Sequence, residues 1–401
     1  MAGFLHGVET LEIQTGSRPV SLVRTAVIGI VGTASAGAIN TPILVSSEKD
    51  FAQFGTNTAG TTILDALEAI FKQKGTVCVV INVLDPAKHA TPAAVTAADI
   101  NGSITTAGKR TGMKAFRDSF ALFGFLPKIL IAPVFSCLNT VSTELIATAH
   151  SIRAVEFHDA PIGITPQQAI TGRGASGTIN FNTSSERAGL CYPHVKEYDS
   201  TTNAEVLAPM SSYVAGALSR RDQENGFWWS FSNTEILGIT GMERPIDAML
   251  NDANCEANLL NGAGIITLYN SFGTGIRVWG NRSAAFPAST AMTQFMCVRR
   301  TADIIEESLE YYTLQNIDKP LDSALIDTIV ESGNGYMRKL VGMGAILDGR
   351  CWFDATYNSV EELAAGRLVV SYDFLPPAPA ERVTYRANIN INYLNNLLKA
   401  A

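Results

Sequence analysis

Apolar and polar residues alternate at period two along Val383-Thr384-Tyr385-Arg386-Ala387-Asn388-Ile389-Asn390-Ile391-Asn392-Tyr393. That spacing predicts a β-strand with one face meant for burial, carried by Val383, Tyr385, Ile389 and Ile391. The residues before it, Leu375-Pro376-Pro377-Ala378-Pro379-Ala380-Glu381, read as a stiff extended hinge, because proline fixes φ and biases its predecessor away from helix. A strand of this length spans roughly 30 Å and is not stable alone. It must return to its own sheet or add to the edge of a neighbour's. At the other end Val8, Leu11 and Ile13 are spread through polar residues, followed by a turn at Gly16-Ser17-Arg18-Pro19. Both ends therefore read as arms outside a compact body, with hinges at Gly16 and Pro19 and at Pro376, Pro377 and Pro379.

Between the arms the pattern is α/β, of mixed α+β character. Short apolar runs at Val27–Gly32, Pro42–Val45, Thr76–Leu84, Lys128–Ala132 and Ala154–Phe157 read as strands. Helices are expected after Ser46 or Ser47, over Thr61–Lys74 and over Thr140–Ile152, a rhythm of βαβ units. Residues 165–245 read as loop-rich, interrupted by a small-residue helix over Ser211–Ser219. A third block holds strands at Gly264–Tyr269 and Gly275–Trp279, long helices over Ser289–Leu314 and Leu321–Lys339, and strands at Ala345–Phe353 and Arg367–Phe374. Phe295, Val298, Ala302, Ile305 and Leu309 give the first of these helices an apolar face. The expected divisions are 1–24, an N-terminal arm; 25–249, an α/β region; 250–376, a C-terminal domain; and 377–401, hinge and arm.

Composition narrows the function. In 401 residues only 17% are charged, below the usual quarter, which favours a subunit that hides surface in an assembly over the alternative, a soluble monomer with a generous core. A net charge of −7 supplies no basic stripe for nucleic acid. The six cysteines are widely scattered with no CxxC pair, and read as buried free thiols of a reducing cytoplasm. Met1–Gly7 lacks the form of a secretory leader, and no apolar run approaches the roughly 20 residues of a membrane helix, so a soluble protein without direct membrane contact is expected.

Catalytic patterns are weak. Gly29-Ile30-Val31-Gly32-Thr33-Ala34-Ser35-Ala36-Gly37 follows a strand but lacks the dinucleotide spacing and the helix that a phosphate needs, so it reads as a turn. Ser289, with His158 and Asp159 as partners, is the best candidate for a serine nucleophile, although Ser289 is more simply a helix N-cap. Glu306, Glu307 and Glu310 read as a solvated or interfacial helix face within reach of Arg299 and Arg300. Phe227-Trp228-Trp229 serves equally as core or as interface anchor. No catalytic residue, metal or cofactor is predicted, and an α/β serine-hydrolase-like enzyme is the alternative reading. A static capsid or filament protein is a third.

One family accounts for the parts in order. His6-Gly7-Val8-Glu9, Thr25 to Ala34, Phe227 to Asn233, Gly238 to Asp247, Asn261 to Ile265, Arg277 to Arg282 and Val298 to Asp303 together resemble the sheath subunit of contractile bacteriophage tails and of related R-type bacteriocins. The resemblance implies an outer α/β region, a C-terminal region facing an inner tube, and arms that complete a small β-sheet on neighbouring subunits. It further implies stacked hexameric rings that contract to eject a genome or drive the tube through a cell envelope. The implied partners are further copies of the chain, a tail tube protein, and baseplate and tail terminator proteins. The implied location is a virion tail, after synthesis in a host bacterial cytoplasm. For tube contact, the helix at Leu321–Lys339 is the first place to look.

Overall fold

The computed structural model describes residues 24–174, 181–199, 202–271 and 273–395. The N-terminal arm, with Val8, Leu11, Ile13, Gly16 and Pro19, lies outside the described residues.

Strands β1 (Ile28–Gly32) and β2 (Ile43–Val45) are followed by helix α1 (Ile63–Gln73), strand β3 (Cys78–Asn82) and helices α2 (Ala97–Asn101) and α3 (Asp118–Phe123). Next come β4 (Ile129–Ile131), α4 (Asn139–Ser151), β5 (Val155–Asp159), α5 (Pro166–Gly172) and β6 (Ala188–Cys191). β7 (Val195–Asp199), β8 (Ala204–Ala208), α6 (Met210–Glu224) and β9 (Gly241–Met242) precede α7 (Glu256–Gly262), β10 (Ile265–Ser271) and β11 (Gly275–Trp279). The chain then forms α8 (Met296–Thr313), α9 (Ser323–Met343), β12 (Asp348–Phe353), α10 (Val360–Ala364) and β13 (Val370–Leu375).

Eight strands make one sheet in the order β11-β10-β6-β5-β4-β1-β3-β2. Its interior pairs are parallel, and β2 and β11 are antiparallel edges. The apolar runs are continuous because both faces are covered. Ile28 and Ile30 enter the core beneath α1 and α6, whereas Val27 and Val31 enter the opposite core with Val141 and Leu145 of α4. The expected boundary at 250 falls within the span this sheet covers, since β10 and β11 complete it.

A smaller unit follows. α8 and α9 pack with the two-stranded sheet β12-β13 around Ile304, Ile305, Tyr336, Met337 and Leu340. Gly333 lets α9 come close: a Cβ there would lie 2.7 Å from the Cys351 sulfur.

Several expectations need correction. Residues 165–245 are not mainly loop; they supply β6, a central and fully buried strand, and a 15-residue helix α6. The long helix begins at Met296, so Ser289 caps nothing in α8; its exposed hydroxyl accepts from the Ala291 amide. Glu307 does not face solvent but is buried against Lys128, whereas Glu310 does reach the surface. Ile391 lies in a short 3₁₀ turn, Ile391–Leu394, and not in a strand.

Candidate assembly surfaces

The C-terminal arm carries an apolar face that stays exposed among the described residues. Val383, Tyr385, Ile389 and Ile391 are 68%, 92%, 93% and 74% exposed, and residues 376–390 join no sheet. The prolines are placed differently from the arm. Pro376 is buried and Pro377 and Pro379 are half-buried, so the presumed hinge lies along the body. Just beyond them Glu381 is held by Arg282, whose Nε donates to Oε1 at 2.8 Å. Arg282 in turn lies 3.8 Å from the centroid of the Phe286 ring and 5.4 Å from that of Phe295. An arginine stacked between rings and paired with a carboxylate is a well-fixed anchor. The chain therefore leaves the body at Arg382, after the prolines.

An extra strand needs an open sheet edge. In the main sheet the β11 edge is closed by residues 233–236, where the Asn233 amide donates to the Val278 carbonyl at 2.7 Å and the Ile236 amide to Ile276 at 2.9 Å. The opposite edge, β2, has only three residues. β8 ends a small sheet but carries exposed Glu205, in the manner of a protected edge. The hairpin β12-β13 remains. In its β13 strand Val370 and Phe374 pack against the core of α8 and α9, and Tyr372, between them, stays exposed with its ring stacked 6.1 Å from that of Phe374.

The small unit is joined to the large one through α8, and the joint is charged. Arg300 is buried and grips the Asp222 carboxylate of α6 with both terminal nitrogens, one at 2.8 Å. Burial opposes the charge on Arg300, but Asp222 more than offsets it and the pKa is raised. Arg187, at the start of β6, pairs with buried Asp303. Lys128, at the start of β4, meets Glu307 at 2.6 Å, and burial nonetheless pulls the ammonium below its ordinary range. Arg299 reaches Asp303 at 2.8 Å and Glu306 at 3.0 Å, and Arg153 clasps Glu310 at 2.6 and 2.7 Å. Such pairs stabilise only as complete sets, because a partner left alone is a buried uncompensated charge.

The suggested catalytic group does not assemble. His158 is fully buried and bonds Glu156 at 2.9 Å, whereas Asp159 accepts from the Ser211 amide at 2.8 Å and from the Ser136 hydroxyl at 3.3 Å. Ser289 is bonded to neither. The glycine series starts inside β1 and then turns, and the Thr33 carbonyl accepts from the Thr62 and Ile63 amides at the start of α1, at 3.0 and 3.1 Å. A Cβ on Gly32 would lie 2.3 Å from the Thr62 hydroxyl. Phe227 and Trp228 pack in the small core, while Trp229 lies at the surface beneath Arg221. Among the described residues no helix is long and apolar enough to cross a membrane.

Sequence reasoning missed the Arg282–Glu381 anchor and the long-range ion pairs of α8, although it placed Glu306 within reach of Arg299, where the two pair at 3.0 Å. Apart from Arg299 with Asp303 and Glu306, their members lie at least 78 residues apart, and charged letters carry no mark of burial.

Comparison with known proteins gives consistent results along the chain. Residues 25–83 match the model for the tail sheath protein Gp18 domain III N-terminal region. Residues 108–284 match the phage tail sheath protein central domain, and 288–390 the phage tail sheath C-terminal domain. The tail sheath protein of Burkholderia phage BcepMu is 45% identical, with 99% of each chain covered. The tail sheath protein of Escherichia phage P2 is 30% identical over 99% of this chain and 98% of its own. Among solved structures, the sheath complex of an extracellular contractile injection system in its contracted state superposes with a TM-score of 0.70. It is 15% identical, covering 98% of this chain and 99% of that one. The contracted helical sheath of the anti-feeding prophage gives 0.70 at 18% identity, covering 97% and 100%. These last two are likenesses of fold.

Proposed function

This chain belongs to the phage tail sheath protein family, and from that premise we propose that its copies stack as hexameric rings around a tail tube and shorten together, driving the tube through a cell envelope. It is a structural subunit of a virion tail, and its first partner is itself. A tail tube protein inside the sheath and baseplate and terminator proteins at its ends complete the assembly, which is built in the host bacterial cytoplasm.

The observation that carries this reading is the pairing of an exposed, period-two arm with a two-stranded sheet that has room for another strand. The arm of one subunit adds to the hairpin of the next. Contacts of this kind are heterologous and do not close on themselves, so they generate a helical lattice. Each arm supplies about four to six backbone hydrogen bonds at roughly 0.5–1.5 kcal/mol net, together with burial of Tyr385, Ile389 and Ile391. Body contacts can then be exchanged while arms hold, and contraction proceeds as rigid-body rotation of subunits. The α8 ion pairs support that rotation, because they tie the two units of one subunit together. The swivel begins at Arg382, beyond the Arg282–Glu381 anchor, and the prolines act as a strut. The α/β unit faces outward. The smaller unit faces the tube through α9, whose first turns, before Gly333, have no buried residue.

Two arm substitutions separate this reading from a generic loss of charge balance. Ile389→Asp places a charge on the face to be buried and should raise the concentration needed for polymerisation at least a hundredfold. Arg386→Asp, on the opposite face, should raise it less than tenfold. Sedimentation of polymer across a concentration series measures both, and equal effects would remove the strand model.

A further inference from the structure

The smaller unit sits at one pole of the main sheet, and a crevice opens at the other. Lys128 and Arg187, just ahead of β4 and β6, and the Thr25 carbonyl ahead of β1 all meet α8, so the smaller unit covers the amino ends of the parallel strands. At their carboxyl ends β1 and β4 lie side by side, yet the chain leaving β1 goes to α1 on one face and the chain leaving β4 goes to α4 on the other. Open α/β sheets form a crevice at such a switch point. Here its walls are α1, α6 and the Pro133-Val134 turn after β4. α1 and α6 run side by side and come closest where a Cβ on Gly216 would lie 3.0 Å from Ile70 Cα. One turn nearer their N-termini, Ala66 and Ser212 face a free volume of about 30 Å³.

Ser212 is 1% exposed and lines this space, and its hydroxyl has no hydrogen-bond partner among the described residues. Other serines of α6 are satisfied: Ser211 donates to Asp159, and Ser219 to the Ala26 carbonyl at 3.1 Å. A hydroxyl buried without a partner destabilises a fold unless something binds it. The mouth of the crevice is acidic. Asp65 lines it with Glu68, Glu197 and Asp199 nearby, while Lys72 is already paired with Glu197 at 2.7 Å. Partial burial, and then the Glu197 and Asp199 charges, push the Asp65 carboxyl up against a hydrogen bond from Asn57. The remaining walls are apolar, from Ala66, Ala69, Pro133, Val134, Ala208 and Pro209. Val134 holds φ at 70°, a strained value for a β-branched residue, and stands 53% exposed at the rim.

We propose that this crevice binds a primary alkylammonium group, its charged head between Asp65 and the Ser212 hydroxyl and its alkyl stem against Pro133, Val134 and Pro209. The site is separate from the arm and goes beyond the sheath reading. An ammonium head has three N–H donors and the size of a water molecule, so the space suffices. Asp65 and the Ser212 oxygen take two of the donors. The third goes to the Tyr213 oxygen, which gives its own proton to Glu197 and is left to accept. Competing guests fit worse. A phosphate would meet the carboxylates at the mouth. A calcium or magnesium ion takes about six or more oxygen ligands, which alanine and proline side chains do not offer. Among the described residues no three His, Cys, Asp or Glu side chains form a metal-binding group. A free short amine and the lysine of a neighbouring copy share the chemistry proposed. With the smaller unit toward the tube, the crevice opens on the outside of the cylinder, within reach of either.

Butylammonium chloride titrated into the unassembled full-length chain tests this, with potassium chloride and tetramethylammonium chloride at equal ionic strength as controls. Butylammonium should move the methyl resonances of Ala66, Ala69 and Val134 saturably, and the controls should not. Ser212→Ala removes an acceptor and an unpaired buried hydroxyl together, so it should keep or raise Tm while weakening binding about tenfold. Asp65→Asn should weaken it at least as much. An equal response to tetramethylammonium, which has no N–H donor, would mean charge screening at an acidic mouth and would overturn the proposal. Unchanged affinity in Ser212→Ala, or no saturable shift at all, would overturn it too, and none of these results touches the sheath reading. Equilibrium dialysis of labelled butylammonium against assembled cylinders then assigns the source. Retained binding points to a free amine; loss on assembly, with carbodiimide cross-linking of Asp65 to a lysine of a second copy, points to a neighbour's side chain.

Discussion

Removing residues 382–401 leaves a soluble, folded monomer that forms no cylinders at any concentration reached by the intact chain. The fold survives because residues 382–395 bury nothing against the body: every one of them is exposed. The deletion also keeps Glu381, so Arg282 retains its partner and the prolines stay seated. Assembly fails because each subunit loses the strand it gives to its neighbour. If that strand is worth about 4–6 kcal/mol per contact, its loss raises the polymerisation threshold by roughly a thousandfold to ten-thousandfold. Negative-stain electron microscopy after concentration, with circular dichroism on the same sample, reads both halves of the expectation. Striated hollow cylinders from the truncated chain would show that body contacts suffice and that the arm is dispensable. A truncated chain that loses its circular dichroism signal would mean that the arm belongs to its own fold.

The sequence was most legible where one physical rule acted alone. β1, β3 and β4 announce themselves as short runs dominated by Val, Ile and Leu because both faces of the sheet are buried. The arm was legible for the opposite reason, since one face of Val383 to Ile391 is apolar and the other is not. β6 was missed because Ala188-Gly189-Leu190-Cys191 has a single large side chain and no β-branched residue. It is nonetheless central, and Gly189 is needed there because a Cβ would meet Met296, Ile266 and Phe157 within 2.8 Å. Helix α6 was cut short at Ser219 because Arg220 to Glu224 look like a solvated end. In the fold Asp222 is buried under Arg300, a partner from a helix that the sequence places 78 residues away. Glu307 misled for the same reason. An apolar stripe tells which face of α8 meets hydrocarbon, but α8 is enclosed on more than that face, and ion pairs cover the rest. Edge chemistry was the least legible. Nothing in the letters of α9 says that the Asn334 side chain will bond both the amide and the carbonyl of Cys351 in β12, at 2.8 and 3.0 Å.

Breaking the Arg300–Asp222 pair should be the most damaging single change in the joint between the units. Both side chains are almost wholly enclosed, at 4% and 1% exposure, so removing one leaves the other charged and out of water. Asp222→Ala is expected to cost about 3–5 kcal/mol, several times the value of an exposed pair. Arg300 also donates to the Thr25 carbonyl at 3.2 Å, so Arg300→Ala loses a tie to the start of the α/β unit as well. The damage should be local in an informative way. β12-β13 and α9 keep their own core around Ile305, Met337 and Leu340, and the main sheet keeps its two. Calorimetry should therefore resolve an early transition for the smaller unit, followed by the main unit near its original temperature. Replacing both charges, Arg300→Met with Asp222→Leu, should recover most of the loss, because well-packed apolar groups need no compensation. A sheath built from that double variant is the sharper test of mechanism. If the pair serves only to hold the units together, such a sheath contracts normally. If contraction stops while stability is restored, the charges must be exchanged during the rotation, and a subunit that turns as one rigid body is the wrong picture.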